Sequence, residues 1–209
     1  FQPDTMTNIE VLSILSGQNT RFGRLEGDFS YDLTMDDNNV GDGQKLVVDA
    51  GQLTANETLT FNGSAELDGF FWIAGGAAID HLTGGAGDDL LIGAGGADVL
   101  TGGAGNDVFK YRSVGESAAG AGDTITDFRS GDIIDLSKID ADSKLAGDQG
   151  FTFIDARAFS GTPGELRAES SGANAWTIYG DVDGDGNADF QINVTCADGH
   201  TIVGADFLP

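Results

Sequence analysis

Four aspartates stand nine residues apart, Asp80, Asp89, Asp98 and Asp107, and each is followed two positions later by a large apolar residue, Leu82, Leu91, Leu100 and Phe109 in turn. The blocks that carry them read GGAAIDHLT, GGAGDDLLI, GAGGADVLT and GGAGNDVFK. Carboxylates in a fixed register, among glycines whose carbonyls can approach a ligand closely, form a supply of hard oxygen donors. Calcium takes six to eight such oxygens at about 2.3–2.6 Å, from carboxylates and backbone carbonyls alike. A second acidic constellation, DVDGDGNADF at 181–190, sets Asp181, Asp183, Asp185 and Asp189 at positions 1, 3, 5 and 9 of a loop, with Asn187 at position 7 offering a carbonyl. Position 12 is Ile192, where an EF-hand needs a bidentate glutamate, and the flanks read as strands rather than helices. The loop is therefore read as a calcium loop on a β-hairpin, with an acidic turn that holds no metal as the alternative.

The same residues argue against catalysis. His81 and His200 are the only histidines, and no HExxH or GxSxG sequence occurs. His81 falls at a repeat position expected to face solvent. The single cysteine, Cys196, excludes an intrachain disulfide and a four-cysteine zinc site, and is read as a small buried apolar residue. The acids with a recognisable context are assigned to calcium, so the expectation is a protein without an active site. With 34 acidic against 10 basic side chains the formal charge is -24. Such a surface repels nucleic acid and anionic membrane, and it repels itself unless cations neutralise it. No apolar run approaches the roughly 20 residues that span a bilayer, so membrane insertion is not expected. A start at Phe1, without methionine or signal peptide, suggests a piece or a processed form of something longer, with a further domain upstream.

Nine-residue blocks need elements that repeat with them. Six residues must turn the chain and three must form a short strand, with the position-eight residue pointing inward. Two blocks then make one coil, and blocks i and i+2 stack on the same side. This places Asp89 next to Asp107 and Asp80 next to Asp98, where a shared dication relieves their repulsion. A glycine-rich linker would not keep a large apolar residue in phase, and GAGG at 93–96 lacks the following helix that a dinucleotide loop requires. Residues 1–74 also read as strands, from the alternation of Phe29, Tyr31, Leu33 and Met35, of Leu46 and Val48, and of Leu59 and Phe61. Beyond 110 the chain is aperiodic, with strands expected near 124–128, 133–136, 151–154, 176–179, 190–194 and 201–203, and a short helix around 137–141. The expected organisation is 1–74 as a β-rich, solenoid-like segment, 75–110 as the repeat, and 111–209 as a C-terminal β region, forming one continuous all-β structure: a parallel β-roll with a β-sandwich-like cap.

Residues 75–110 resemble the repeats-in-toxin (RTX) family of calcium-binding β-rolls. The stretch DVFKYRSVGESAAGAGDTITDFRSGDIIDLSKID, with the tail FTFIDARAFSGTPGELR and GDVDGDGNADFQI, is similar to the C-terminal domain of serralysin-type metalloproteases. The resemblance implies one calcium between each pair of same-side turns. One ligand set is then Gly85, Gly87, Asp89, Gly102, Ala104 and Asp107. A second is Gly76, Ala78, Asp80, Gly93, Gly95 and Asp98. A last set joins Gly103, Gly105 and Asp107 to two acids beyond the repeats, Glu116 and Asp123. Ala78 and Ala94 depart from the glycines of the pattern, and Glu116 stands where aspartate is usual. The resemblance further implies secretion through a type I channel, followed by folding on extracellular calcium. Asp206, Phe207 and Leu208 fit a C-terminal export signal loosely, and equally a last edge strand. A calcium-stiffened structural or adhesive surface module is the alternative, for which Phe70, Phe71 and Trp72 are the residues to watch.

Overall fold

The computed structural model describes residues 9–18 and 27–209; parts of the 1–74 segment, residues 1–8 and 19–26, lie outside the described residues. The strands, in chain order, are β1 (Val11–Ser13), β2 (Tyr31–Thr34), β3 (Lys45–Asp49), β4 (Leu59–Asn62), β5 (Phe70–Ala74), β6 (His81–Thr83), β7 (Leu90–Ile92), β8 (Val99–Thr101) and β9 (Val108–Lys110), followed by β10 (Asp123–Phe128), β11 (Ile133–Asp135), β12 (Thr152–Phe153), β13 (Glu165–Gly172), β14 (Ala175–Asp181), β15 (Phe190–Cys196) and β16 (Phe207–Leu208). No α-helix occurs among the described residues, and no helix is long and apolar enough to cross a membrane.

From β1 to β12 successive strands alternate between two sheets. One runs β1-β3-β5-β7-β9-β11-β16, and the other runs β12-β13-β14-β15-β10-β8-β6-β4-β2. Pairing within the rolled part is parallel throughout, for instance Trp72 opposite Leu90 and Leu90 opposite Val108 in the first sheet, and His81 opposite Val99 in the second. The protein is therefore an all-β parallel roll. Each three-residue strand shows one residue to the core and two outward, because side chains alternate across a strand. The inward residues are those at position eight: Leu82, Leu91 and Phe109 are 0% exposed and Leu100 1%.

The sheets do not stop at the limits of the repeat. Strands β1–β5 below and β10, β11 above extend the same two ladders, and their inward residues (Leu46, Phe61, Phe71, Ile125, Phe128, Ile134) complete one core with the repeat leucines. Ring pairs lie within it on either side of the repeat leucines. Phe61 meets Phe71 edge-on at 5.1 Å, and Phe109 lies 6.2 Å from Phe128. Phe71 is thus a core residue, whereas Trp72 faces outward with the Lys45 ammonium 3.4 Å above its ring.

Three local expectations fail. Residues 137–141 form turns, not a helix, because Asp135 ties the segment down: its Oδ1 accepts from the Ser137 N–H and hydroxyl at 3.0 and 2.6 Å. Residues 201–203 are not a strand; the pairing partner of β11 is β16, a few residues later. The long strand β13 lies where none was expected, since ELRAESSG carries only Leu166 and Ala168 as inward residues and its other side chains are polar or charged. It pairs antiparallel with β14, which pairs antiparallel with β15, so the cap is an extension of the second sheet.

Candidate metal centre

The aspartate of each block precedes its strand, so the alternation of sheets sorts the acids into two columns. In the second sheet the Asp80 N–H donates to Asp98 Oδ1 at 2.8 Å, and the Asp98 N–H donates to Asp123 Oδ1 at 2.8 Å. In the first sheet the Asp89 N–H donates to Asp107 Oδ1 at 2.9 Å, and the Asp107 N–H donates to Asp132 Oδ1 at 2.9 Å. The expected same-side pairs, Asp80 with Asp98 and Asp89 with Asp107, are therefore adjacent. All six carboxylates are buried, none more than 3% exposed.

The closing acids are distributed differently from the last set named above. Asp123 opens β10, which pairs with β8, so it stacks on Asp98 and not on Asp107. Glu116 acts on the same side: its charge, with that of Asp98, raises the Asp123 carboxyl, while its oxygens accept from the Arg112 N–H and Nε at 2.8 and 3.0 Å. Asp107 is followed by Asp132, at the mouth of β11. The Gly103 carbonyl, assigned to that last set, accepts from Arg129 Nη1 at 2.5 Å, and the N–H groups of Gly102 and Gly103 donate to Asp127 at 2.9 Å each. A guanidinium and two acids thus close the first-sheet column. Asp127, Arg129 and Asp132 were missed in the sequence because they lie beyond the last nine-residue block, in a segment without its register.

The backbone donors of the implied ligand sets converge on the same acids. A Cβ on Gly75 would collide with Asp80 Oδ2 and the Gly93 carbonyl, and one on Gly84 with Asp89 Oδ2 and the Gly102 carbonyl. A Cβ on Gly96 would strike the Ala78 carbonyl, and one on Gly105 the Gly87 carbonyl. The carbonyls of Gly76 and Gly85 accept from the N–H groups of Gly95 and Ala104 on the next same-side turn, at 2.9 and 3.0 Å, and each retains a second lone pair. Gly103 sits at φ 102°, and Ala94 holds φ 69° where the pattern has glycine, a left-handed conformation that strains an alanine.

Polar satisfaction within the columns is uneven. Asp80 accepts from the N–H groups of Leu59 and Gly76, both at 2.6 Å, and Asp89 from those of Phe71 and Gly85, both at 2.6 Å. Asp98 Oδ2 and Asp123 Oδ2 are buried without a hydrogen bond of ordinary geometry, although the buried Tyr111 hydroxyl beside Asp123 favours its charged form. Burial first, and then neighbouring carboxylates, push these acids up: Asp89 to about 6, Asp98 to about 7, and Asp107 and Asp123 to about 8. Two orphaned, buried carboxylate oxygens on successive turns fit a hard cation between them.

In the hairpin loop between β14 and β15, Asp181, Asp183 and Asp185 bring an oxygen each within 4.8 Å of one another. Asp189 does not join that group: its Oδ2 accepts from the Val182 N–H at 2.7 Å. Exposed Asn187 follows in the loop and donates its N–H to Asp185 at 2.7 Å. The Asp181 oxygens accept from the Gly184 and Gly186 N–H groups at 2.6 and 2.9 Å.

Residues 48–208 match the family described as peptidase M10 serralysin C terminal. The chain belongs to that family. As a serralysin C-terminal region it corresponds to the non-catalytic part of the protease, and its roll carries RTX-type calcium-binding repeats. Among solved structures, the AlgE6R2 subunit of the mannuronan C5-epimerase of Azotobacter vinelandii is similar at 19% identity, covering 96% of this chain and 91% of that one with a TM-score of 0.44. A search of curated proteins finds no match. His81 is exposed on β6, and His200 lies 3.0 Å from both carboxylate oxygens of Asp206. Cys196 is buried in the core, where burial pushes its thiol up to about 11. Residues Phe207 and Leu208 form the outermost strand of the first sheet.

Proposed function

We propose that this serralysin C-terminal region is a non-catalytic module that folds on extracellular calcium and thereby serves the type I secretion and the stability of a larger secreted protein. The observation that carries the reading is the pair of orphaned oxygens, Asp98 Oδ2 and Asp123 Oδ2, buried one above the other in a column of carboxylates. Where no site exists in the unfolded chain, cation binding free energy is folding free energy. In calcium-poor cytosol the like charges of two columns oppose the roll; at extracellular calcium they assemble it. Family members are secreted, which supports the same reading. A second reading, a calcium-stiffened adhesive or structural module, draws on an outward apolar row that crosses the first sheet, Val11, Val47, Trp72, Leu90, Val108 and Ile133, in which Val11 and Trp72 are 56% and 45% exposed.

Far-UV circular dichroism decides between folding on calcium and a constitutive fold. Titration from chelator to about 10 mM calcium, past the affinity range of extracellular modules, is expected to give a cooperative coil-to-β transition that magnesium does not reproduce. The isosteric changes Asp98→Asn and Asp123→Asn are expected to move the midpoint at least about tenfold upward, equivalent to about 1.4 kcal/mol. A chain fully β in chelator, or midpoints unmoved by both changes, would overturn the proposal and favour the second reading.

A further inference from the structure

Below the repeats lies a carboxylate group that no nine-residue block supplies. Asp37, from a single 3-10 turn over Asp37–Asn39, comes together with Glu66 and Asp68, from the loop before β5, so that one oxygen of each lies within 4.8 Å of the others. Glu66 is 0% exposed. Its Oε1 accepts from the N–H groups of Gly69 and Asp68 at 2.8 and 3.3 Å, while Oε2 is buried without any donor. A buried oxygen of an acid left without a partner is expensive, and two further acids beside it add repulsion rather than relief. No lysine or arginine among the described residues pairs with the three.

The fold holds this arrangement in place. Asp37 Oδ1 accepts from the Leu67 N–H at 2.9 Å, which fastens the 3-10 turn to the loop. The Glu66 carbonyl accepts from the Ala86 N–H at 3.0 Å, which fastens the loop to the first turn of the Asp89 column. The strand-register position below Asp89 is taken by Phe71, whose N–H donates to Asp89 Oδ1. The ladder of aspartates therefore ends there, and the acid arrives instead from Glu66, whose buried carboxylate, with one oxygen unpartnered, lies beside those of Asp37 and Asp68. Three carboxylates with no nitrogen or sulfur donor select a hard dication over a soft one.

We propose that Asp37, Glu66 and Asp68 form a separate cation site, of the calcium class, on the segment that precedes the repeats. The site stands on its own residues and not on the repeat columns. Native mass spectrometry of the full chain, with calcium as the probe and magnesium as the control, counts the ions directly. Glu66→Gln, the double change Asp37→Asn with Asp68→Asn, and Asp68→Asn alone each keep side-chain shape, and the last alters only an exposed residue. The double variant and Glu66→Gln are expected to hold one calcium ion fewer than wild type, and Asp68→Asn to bind that ion at least about tenfold more weakly, with the calcium-induced circular dichroism change retained. An Asp98→Asn variant is expected to keep this ion while losing one from the repeats. Unchanged counts and affinities in the double variant and in Asp68→Asn overturn this site alone; a wild-type chain that holds no calcium overturns both it and the folding reading.

Discussion

Asp98 and Asp123 are chemically identical to Asp80, yet their positions in the column make them different acids. Asp80 has two N–H donors; Asp98 and Asp123 each leave one oxygen bare. That difference has a pH signature. A free aspartate releases its proton near 3.8, whereas burial and neighbouring charges hold Asp89 to about 6, Asp98 to about 7, and Asp107 and Asp123 to about 8. Between those limits the metal-free folded chain binds more protons than the unfolded one, so unfolding free energy falls as pH rises. In chelator any residual β structure is expected to be greater at pH 5 than at pH 8, with the loss spread between the free value and about 8. Calcium binding must expel the same protons, so apparent affinity rises with pH across that window. Far-UV circular dichroism at both pH values, with and without calcium, checks this; a β content in chelator that climbs from pH 5 to pH 8 would contradict it.

Each repeat strand offers the core one side chain, so stability depends heavily on position eight. Leu91 lies with 0% exposure between Ile73 and Phe109 in register. Leu91→Ala is expected to lose about 2–5 kcal/mol, the range for a leucine removed from a tight core, measured by urea unfolding in saturating calcium. Elements of this kind were legible in the sequence because two signals coincide, an apolar slot at fixed spacing and an acid two residues before it. The strand β13 carried neither signal, since Leu166 and Ala168 alternate among charged and hydroxyl side chains. At the site, Asp80, Asp89, Asp98 and Asp107 could be read from the nine-residue register. Asp132 and Arg129 could not, because which acid follows Asp107 depends on which sheet the chain enters after β9, and residues 111–122 carry no periodicity to say so. Glu57 escaped for a similar reason. It is 0% exposed and gathers N–H donors from Gly17, Phe29 and Thr54, drawn from three separate stretches of chain. Burial raises its carboxyl, but those donors outweigh burial and hold it at about 2.

At the scale of the molecule the repeat is a middle and not a unit. Strands from both flanks pair with its first and last strands: β4 and β5 with β6 and β7, and β10 and β11 with β8 and β9. A solenoid buries each turn against its neighbours, so terminal turns need covering. The excised segment 75–110 is therefore expected to remain unfolded in calcium concentrations that fold the full chain, and an extension through residue 136 to restore part of the transition; circular dichroism of the two fragments tests it.

The columns also have a direction. In every step the aspartate's N–H belongs to the earlier turn and the accepting Oδ1 to the later one: Asp80 to Asp98 to Asp123, and Asp89 to Asp107 to Asp132. Each turn is thus completed by its successor. A break at Asp123 or Asp132 strands a donor in the turn before it, which has its own donor in the turn before that. A break at Asp80 or Asp89 orphans only the N–H groups that they serve at Leu59, Gly76, Phe71 and Gly85, and leaves the later steps of the column intact. The roll is a zipper with its slider at the carboxyl end, and damage there travels backward through the molecule while damage at the amino end stays where it falls.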